Sequence, residues 1–156
     1  MSDLDSPNGP ASTGRSAVQR AALAVGALFL LLGVLGFVPG VTRNLWSMSL
    51  VGHRSGALLF GVFQVSILLN LMHLAFGVAG VWLARTMSGA HRYLLLGGAF
   101  YLVLFVYGMI VSQGSEANFV PVNPADDILH LCLGVAMVLL GATLSRRVLI
   151  TSGRPI

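Results

Sequence analysis

Two histidines recur in this chain at one spacing, each inside an otherwise oily segment. Asn70-Leu-Met-His73-Leu-Ala-Phe-Gly77-Val-Ala79 is echoed by Asp127-Ile-Leu-His130-Leu-Cys-Leu-Gly134-Val-Ala136. Steps of three and four residues put the polar group, the imidazole and the glycine on one face of a helix. An imidazole can ligate haem or a metal, relay a proton, or hydrogen-bond to a neighbour. In hydrocarbon an unpartnered polar group is costly, so each histidine marks a candidate functional position. The nearest partner within each helix is the side chain three residues earlier, Asn70 or Asp127. With Gln64 added, the expected intramembrane polar locus is Gln64, Asn70, His73, Asp127 and His130.

Three roles fit that locus. Each ring can serve structure alone, hydrogen-bonding to a neighbour or to the loop before the last helix. Two facing histidines on a four-helix bundle can instead hold haem b at both axial positions. Gln64, Asn70 and His73 can also line a proton or ion path, which at four helices per chain would need an oligomer. The structural role asks least of the sequence, since one His pair brings no evident haem pocket. No cofactor or metal is therefore assigned, and His73 and His130 stand as the candidates should haem be present.

The segment Ser112–Asp127 offers Glu116, Asn118, Asn123, Asp126 and Asp127, oxygen donors of the kind hard cations prefer. Their spacing matches no EF-hand loop. Asp126, just after Pro124, is expected to cap the last helix, where a carboxylate satisfies free N–H groups and opposes the macrodipole. No nucleophile–base set, phosphate-cradling loop or Cys-x-x-Cys is present, so an enzyme is not expected. The single cysteine, Cys132, excludes an intrachain disulfide.

The elements that must position these residues are apolar helices. Hydrophobic residues make up 56% of the 156-residue chain and charged residues 9%, against roughly a quarter charged in soluble domains. The mean hydropathy is +0.86. All nine basic residues are arginines that flank apolar runs rather than forming a patch, which argues against nucleic acid despite a net charge of +4. The expected division is a disordered cytoplasmic tail over 1–16, a membrane domain over 17–147, and a cytoplasmic tail over 148–156. Within the domain, helices are expected at about 18–38, 57–84, 92–111 and 126–145, each long enough to cross. The second run is longer than one crossing needs, so its span is placed at roughly 64–84, with the earlier part at the outer interface. Trp46 is expected as an interfacial anchor, His53 as solvated, and His91-Arg92 as part of a cytoplasmic loop.

Seven arginines fall in the N-terminal flank, the 84–92 loop and the C-terminal tail, and two (Arg43 and Arg54) in the other loops. That bias places both termini in the cytoplasm. The helices also repeat. Gly26 to Gly36 matches Gly98 to Gly108 at six of eleven positions, offset by 72 residues, and the histidine motifs are offset by 57. The fold expected is an all-α integral membrane four-helix bundle built from two tandem hairpins. Small residues on the faces of Asn70 and Asp127 should let the helices approach closely.

The strings Gly61-Val-Phe-Gln64-Val-Ser66, Asn70 to Gly77, Tyr101 to Gly108, and Asn118-Phe-Val-Pro-Val-Asn123 followed by Asp126-Asp127-Ile-Leu-His130-Leu resemble domain-of-unknown-function family 4383. The resemblance covers roughly residues 18–144. It implies a small bacterial four-helix protein of the cell membrane, and it implies no activity. Members of the family often carry Asp-Asn where this chain has Asp126-Asp127, so the second position here gains a negative charge. The resulting expectation is a multi-pass protein with a non-catalytic structural or accessory role. Its partners would be the lipid bilayer and either further copies of itself or another membrane protein.

Overall fold

The structure, a computed structural model, describes residues 14–151, with side chains described through Leu144. The expected N-terminal disorder falls on residues that, up to 13, lie outside those described, as does the end of the C-terminal tail. The chain is mostly helical. Four helices, α1 (Ala17–Leu35), α2 (Ile67–Leu83), α3 (Met87–Ile110) and α4 (Pro124–Thr151), are joined by two long loops and one short turn. Helix α4 therefore runs past the expected start of the tail at 148.

Local chemistry sets the helix starts. Ser16 caps α1 through a capping box with Gln19, Ser66 accepts from Leu69 N–H to cap α2, and Thr86 accepts from Gly89 N–H to cap α3. Thr86 moves the start of α3 upstream of the expected residue 92. His91 and Arg92 consequently sit in its first turns rather than in a loop, and His91 Nδ1 lies 3.1 Å from the Gly141 carbonyl of α4. Gln19 also donates through Nε2 to the carbonyls of Ala84 and Arg85, at 3.1 and 2.9 Å, satisfying the exposed end of α2.

Helices α1, α3 and α4 are long and apolar enough to cross a membrane, over Ala17–Leu35, Met87–Ile110 and Pro124–Leu144; α2 is an apolar helix of 17 residues. Large apolar side chains lie exposed along them, among them Leu31, Val78, Trp82, Val103 and Leu139. A face of that kind is stable in lipid and a liability in water. The closest helix neighbours are α1 with α2 and α3 with α4.

Where helix was expected from residue 57, the chain instead forms a small antiparallel sheet of β1 (Thr42–Arg43), β2 (Leu58–Leu59) and β3 (Phe63–Gln64). Phe60 and Gly61 both take positive φ (54° and 72°), and Val62 N–H bonds back to Leu59 carbonyl at 3.1 Å. That turn lies in a three-residue connection, Phe60 to Val62, since Leu59 pairs with Phe63. An apolar run has no periodicity that separates buried strand from buried helix, which is why the hairpin was hidden. Ala57, Leu59 and Val65 pack with Val120 and Val122 of the second long loop and with Leu69 at the top of α2. The two loops thus share one core and form a cap over one end of the bundle.

Candidate functional site

Under the cap, α2 and α4 begin at corresponding residues. Ile67 and Pro124 open the helices, Asn70 and Asp127 are each the fourth helical residue, and His73 and His130 each the seventh. At about 1.5 Å per residue the imidazoles lie roughly 9 Å below the helix starts. Both rings are buried, His73 7% and His130 3% exposed, and Asn70 is fully buried.

Each polar side chain of the fourth position is seated on a glycine of the neighbouring helix. A Cβ at Gly36 would collide with the Asn70 amide, and a Cβ at Gly108 would collide with the Asp127 carboxylate. One layer deeper, Gly26 meets the backbone of Gly77, Gly80 and Val81, and Gly98 that of Gly134 and Val138. Absent side chains let these backbones touch, which is how helices associate where lipid supplies no hydrophobic force between them.

Aromatic rings join the two histidines. His73 stacks on Phe29 (centroids 5.8 Å apart), Phe29 stacks on Tyr101 (5.1 Å), and Tyr101 meets His130 edge-on (5.5 Å). Phe29 had no part in the expected locus. Its signal was present as the residue aligned with Tyr101 in the repeated glycine segments. A haem held by both imidazoles would have to replace the contacts that Phe29 and Tyr101 make.

The expectation that each imidazole finds a hydrogen-bond partner is not met among the described residues. Nδ1 of His73 and of His130 are buried without one, as are Oδ1 of Asn70 and of Asp127. The one bond to the Asn70 side chain is its Nδ2 donating to Met48 sulfur at 3.7 Å. Neither Asn70 nor Asp127 bonds to the histidine three residues on. The locus therefore keeps acceptor capacity that packing has not consumed.

Gln64 does not belong with these residues. It lies on β3 in the cap, outside the helix, and its Nε2 donates to the carbonyls of Ser55 (2.7 Å) and His53 (3.3 Å). At the start of α4 Asp126 acts together with Asn123. Asn123 is the cap of α4, its Oδ1 accepting from Ala125 and Asp126 N–H at 2.9 and 3.0 Å. Asp126 Oδ2 accepts from Asn123 N–H at 2.9 Å, closing a capping box, and from Gln64 N–H at 3.0 Å. One carboxylate so fastens the first long loop to the start of α4.

The remaining donors of the 112–127 segment are likewise engaged. Buried Asn118 accepts from Val122 N–H and donates to the carbonyls of Gln113 and Val122. Asn123 Nδ2 donates to Val62 carbonyl at 2.8 Å, Gly52 N–H to Phe119 carbonyl at 2.7 Å, and Arg54 pairs with Glu116 at 2.9 Å. Of the oxygen groups weighed as cation ligands, Glu116, Asn123 and Asp126 tie the two loops together, Asn118 braces its own loop, and Asp127 Oδ1 is left without a partner. Among the described residues no three His, Cys, Asp or Glu side chains converge as a metal site.

A mostly helical chain with three helices able to span a bilayer and a polar locus beneath a loop cap has the features of a small membrane protein. The family model described as Domain of unknown function (DUF4383) matches residues 19–143, and the chain belongs to that family. No curated protein and no solved structure matches it.

Proposed function

We propose that this is a multi-pass protein of the bacterial cell membrane, with all four helices crossing and both termini in the cytoplasm, that acts without catalysis as a structural or accessory component. At 17 residues α2 spans about 26 Å, the short end of what a crossing requires. The arginine bias supports the orientation, which puts the cap outside. Two tandem hairpins account for the matched contacts, Gly36 on Asn70 and Gly108 on Asp127, at the same offsets as the sequence repeat.

The observation that carries the non-catalytic reading is the interlocked cap. Side-chain and backbone bonds from Gly52, Arg54, Val62 and Gln64 to Phe119, Glu116, Asn123 and Asp126 tie both long loops into one body. Such a body suits presentation of a fixed surface to another membrane protein or to a further copy better than it suits turnover. Membrane levels, and co-purification of any partner, should survive replacement of His73 and His130 by Asn. Loss of a redox or transport activity on that change would overturn the reading.

A second reading has its own observation. The unpartnered atoms of Asn70, His73, Asp127 and His130 favour water or a proton in the bundle, and so a small oligomeric ion path. Flux across proteoliposomes no greater than in empty vesicles would remove it. Haem b is the further alternative, and it predicts a Soret band in the purified protein.

A further inference from the structure

We propose that the groove between α2 and α3 holds an acyl chain of an acidic phospholipid, with the lipid phosphate on Arg92. The inference rests on the membrane-spanning reading above.

Helices α2 and α3 touch much less than the pairs α1–α2 and α3–α4. Between them lies a cavity of about 370 Å³, walled by Phe76 and Leu83 on one side and by Leu96, Gly97 and Phe100 on the other. That volume falls among ligand pockets, which run about 300–1,000 Å³. Gly97 keeps the floor free of a side chain, and the stacked rings of Phe76 and Phe100, 5.3 Å apart, stand at its wall. The lining is almost wholly apolar, so a polar solute has nothing to gain there, whereas a hydrocarbon chain does.

One polar group marks where a headgroup would sit. Arg92 lies on the groove, exposed, and has no ion-pair partner among the described residues. It sits five residues into α3, about 8 Å along the axis, a depth from which a guanidinium reaches the headgroup layer. The fork of an arginine side chain matches a phosphate. Next to it Tyr93, 5% exposed, also lines the groove, and its hydroxyl is buried without a partner. That hydroxyl packs against Gly80 inside the bundle, which leaves Arg92 as the polar group that meets a headgroup.

Among the described residues no acid lies at Arg92's end of the bundle. The described acids that could meet Arg92, namely Glu116, Asp126 and Asp127, all lie at the capped end, and Glu116 and Asp126 are already engaged. An acidic lipid brings the missing anion, and basic sites between spanning helices are a recurrent mode of headgroup recognition.

The test is native mass spectrometry of the full chain reconstituted with phosphatidylglycerol or with phosphatidylcholine. One phosphatidylglycerol should be retained through detergent stripping. Arg92→Gln should lower that retention about fivefold, the worth of one arginine at a lipid surface. Leu96→Trp, at a residue 70% exposed and so tolerant of size, should displace the lipid while leaving the protein monodisperse. Val103→Trp, on exposed surface away from the groove, should retain it. Equal retention of both lipids, or retention unchanged in Arg92→Gln and Leu96→Trp, would overturn the proposal. Alkaline carbonate washing separates the two readings: a chain released by it does not span the membrane, whereas one that stays put but shows no lipid selectivity fails this inference alone.

Discussion

Phe29 lies against Tyr101 with ring centroids 5.1 Å apart and planes 28° apart, and each ring also touches one of the two buried histidines. The two residues are 72 positions apart, the offset of the repeated glycine segments, while the histidines are 57 apart. The centre of the bundle is thus a ladder of four rings, His73, Phe29, Tyr101 and His130, contributed by all four helices. Dispersion between close-packed rings is what such a ladder supplies, since lipid is as apolar as the rings themselves.

Removing a rung should be costly. Phe29 is fully buried and touches His73, Phe76 and Tyr101. Phe29→Ala is expected to destabilise the fold by about 3 kcal/mol, the lower end for a large buried aromatic. Thermal unfolding in mild detergent measures it, and an unchanged midpoint would show that the ladder does not hold the bundle.

The glycines divide into those that touch and those that do not. A methyl at Gly26 would come within 2.9 Å of Val81 N, and one at Gly98 within 2.9 Å of Gly134 O, both backbone atoms that cannot swing aside. Gly26→Ala and Gly98→Ala should each cost about 1–3 kcal/mol through overpacking. Gly114, with nothing within 4 Å, should accept alanine silently. The same melting assay ranks the three, and equal effects at all positions would refute the close-contact account.

Much of this arrangement could be read from local pattern. The histidine motif, its glycine four residues on and the helix count follow from periodicity and run length, which are properties of neighbouring residues. The sheet around Phe60 and Gly61 could not be read, because its strands are two residues long and their apolar content continues that of α2. Nor could the task of Asp126, whose second partner, Gln64 N–H, lies 62 residues away. The expected pairing of each histidine with the side chain three residues earlier failed for a related reason. Asn70 and Asp127 are drawn to the glycine gaps on the adjacent helices, a contact that only assembly creates.

Asp126 offers a direct test of the cap. Asp126→Ala removes the acceptor of two backbone N–H groups, on Asn123 and on Gln64. The loss should be about 1–3 kcal/mol, since those donors become unsatisfied. Limited proteolysis should then cut the 36–66 loop much faster. Glu116→Gln breaks only the exposed pair with Arg54 and should leave the cutting rate near that of the parent, because such surface pairs contribute little. If both variants resist protease equally well, Asp126 is not the fastening.

Topology can be checked without knowing the activity. With the sole cysteine removed by Cys132→Ser, a cysteine placed at Ser115 should react in intact cells with a membrane-impermeant maleimide. One appended after Ile156 should react only once the membrane is opened. The expectation comes from seven arginines on one side against two on the other. Labelling in the reverse pattern would turn the bundle over and bring the cap into the cytoplasm. The groove at Arg92 would then face the outer leaflet, and an accessory role would have to be sought among cytoplasmic partners.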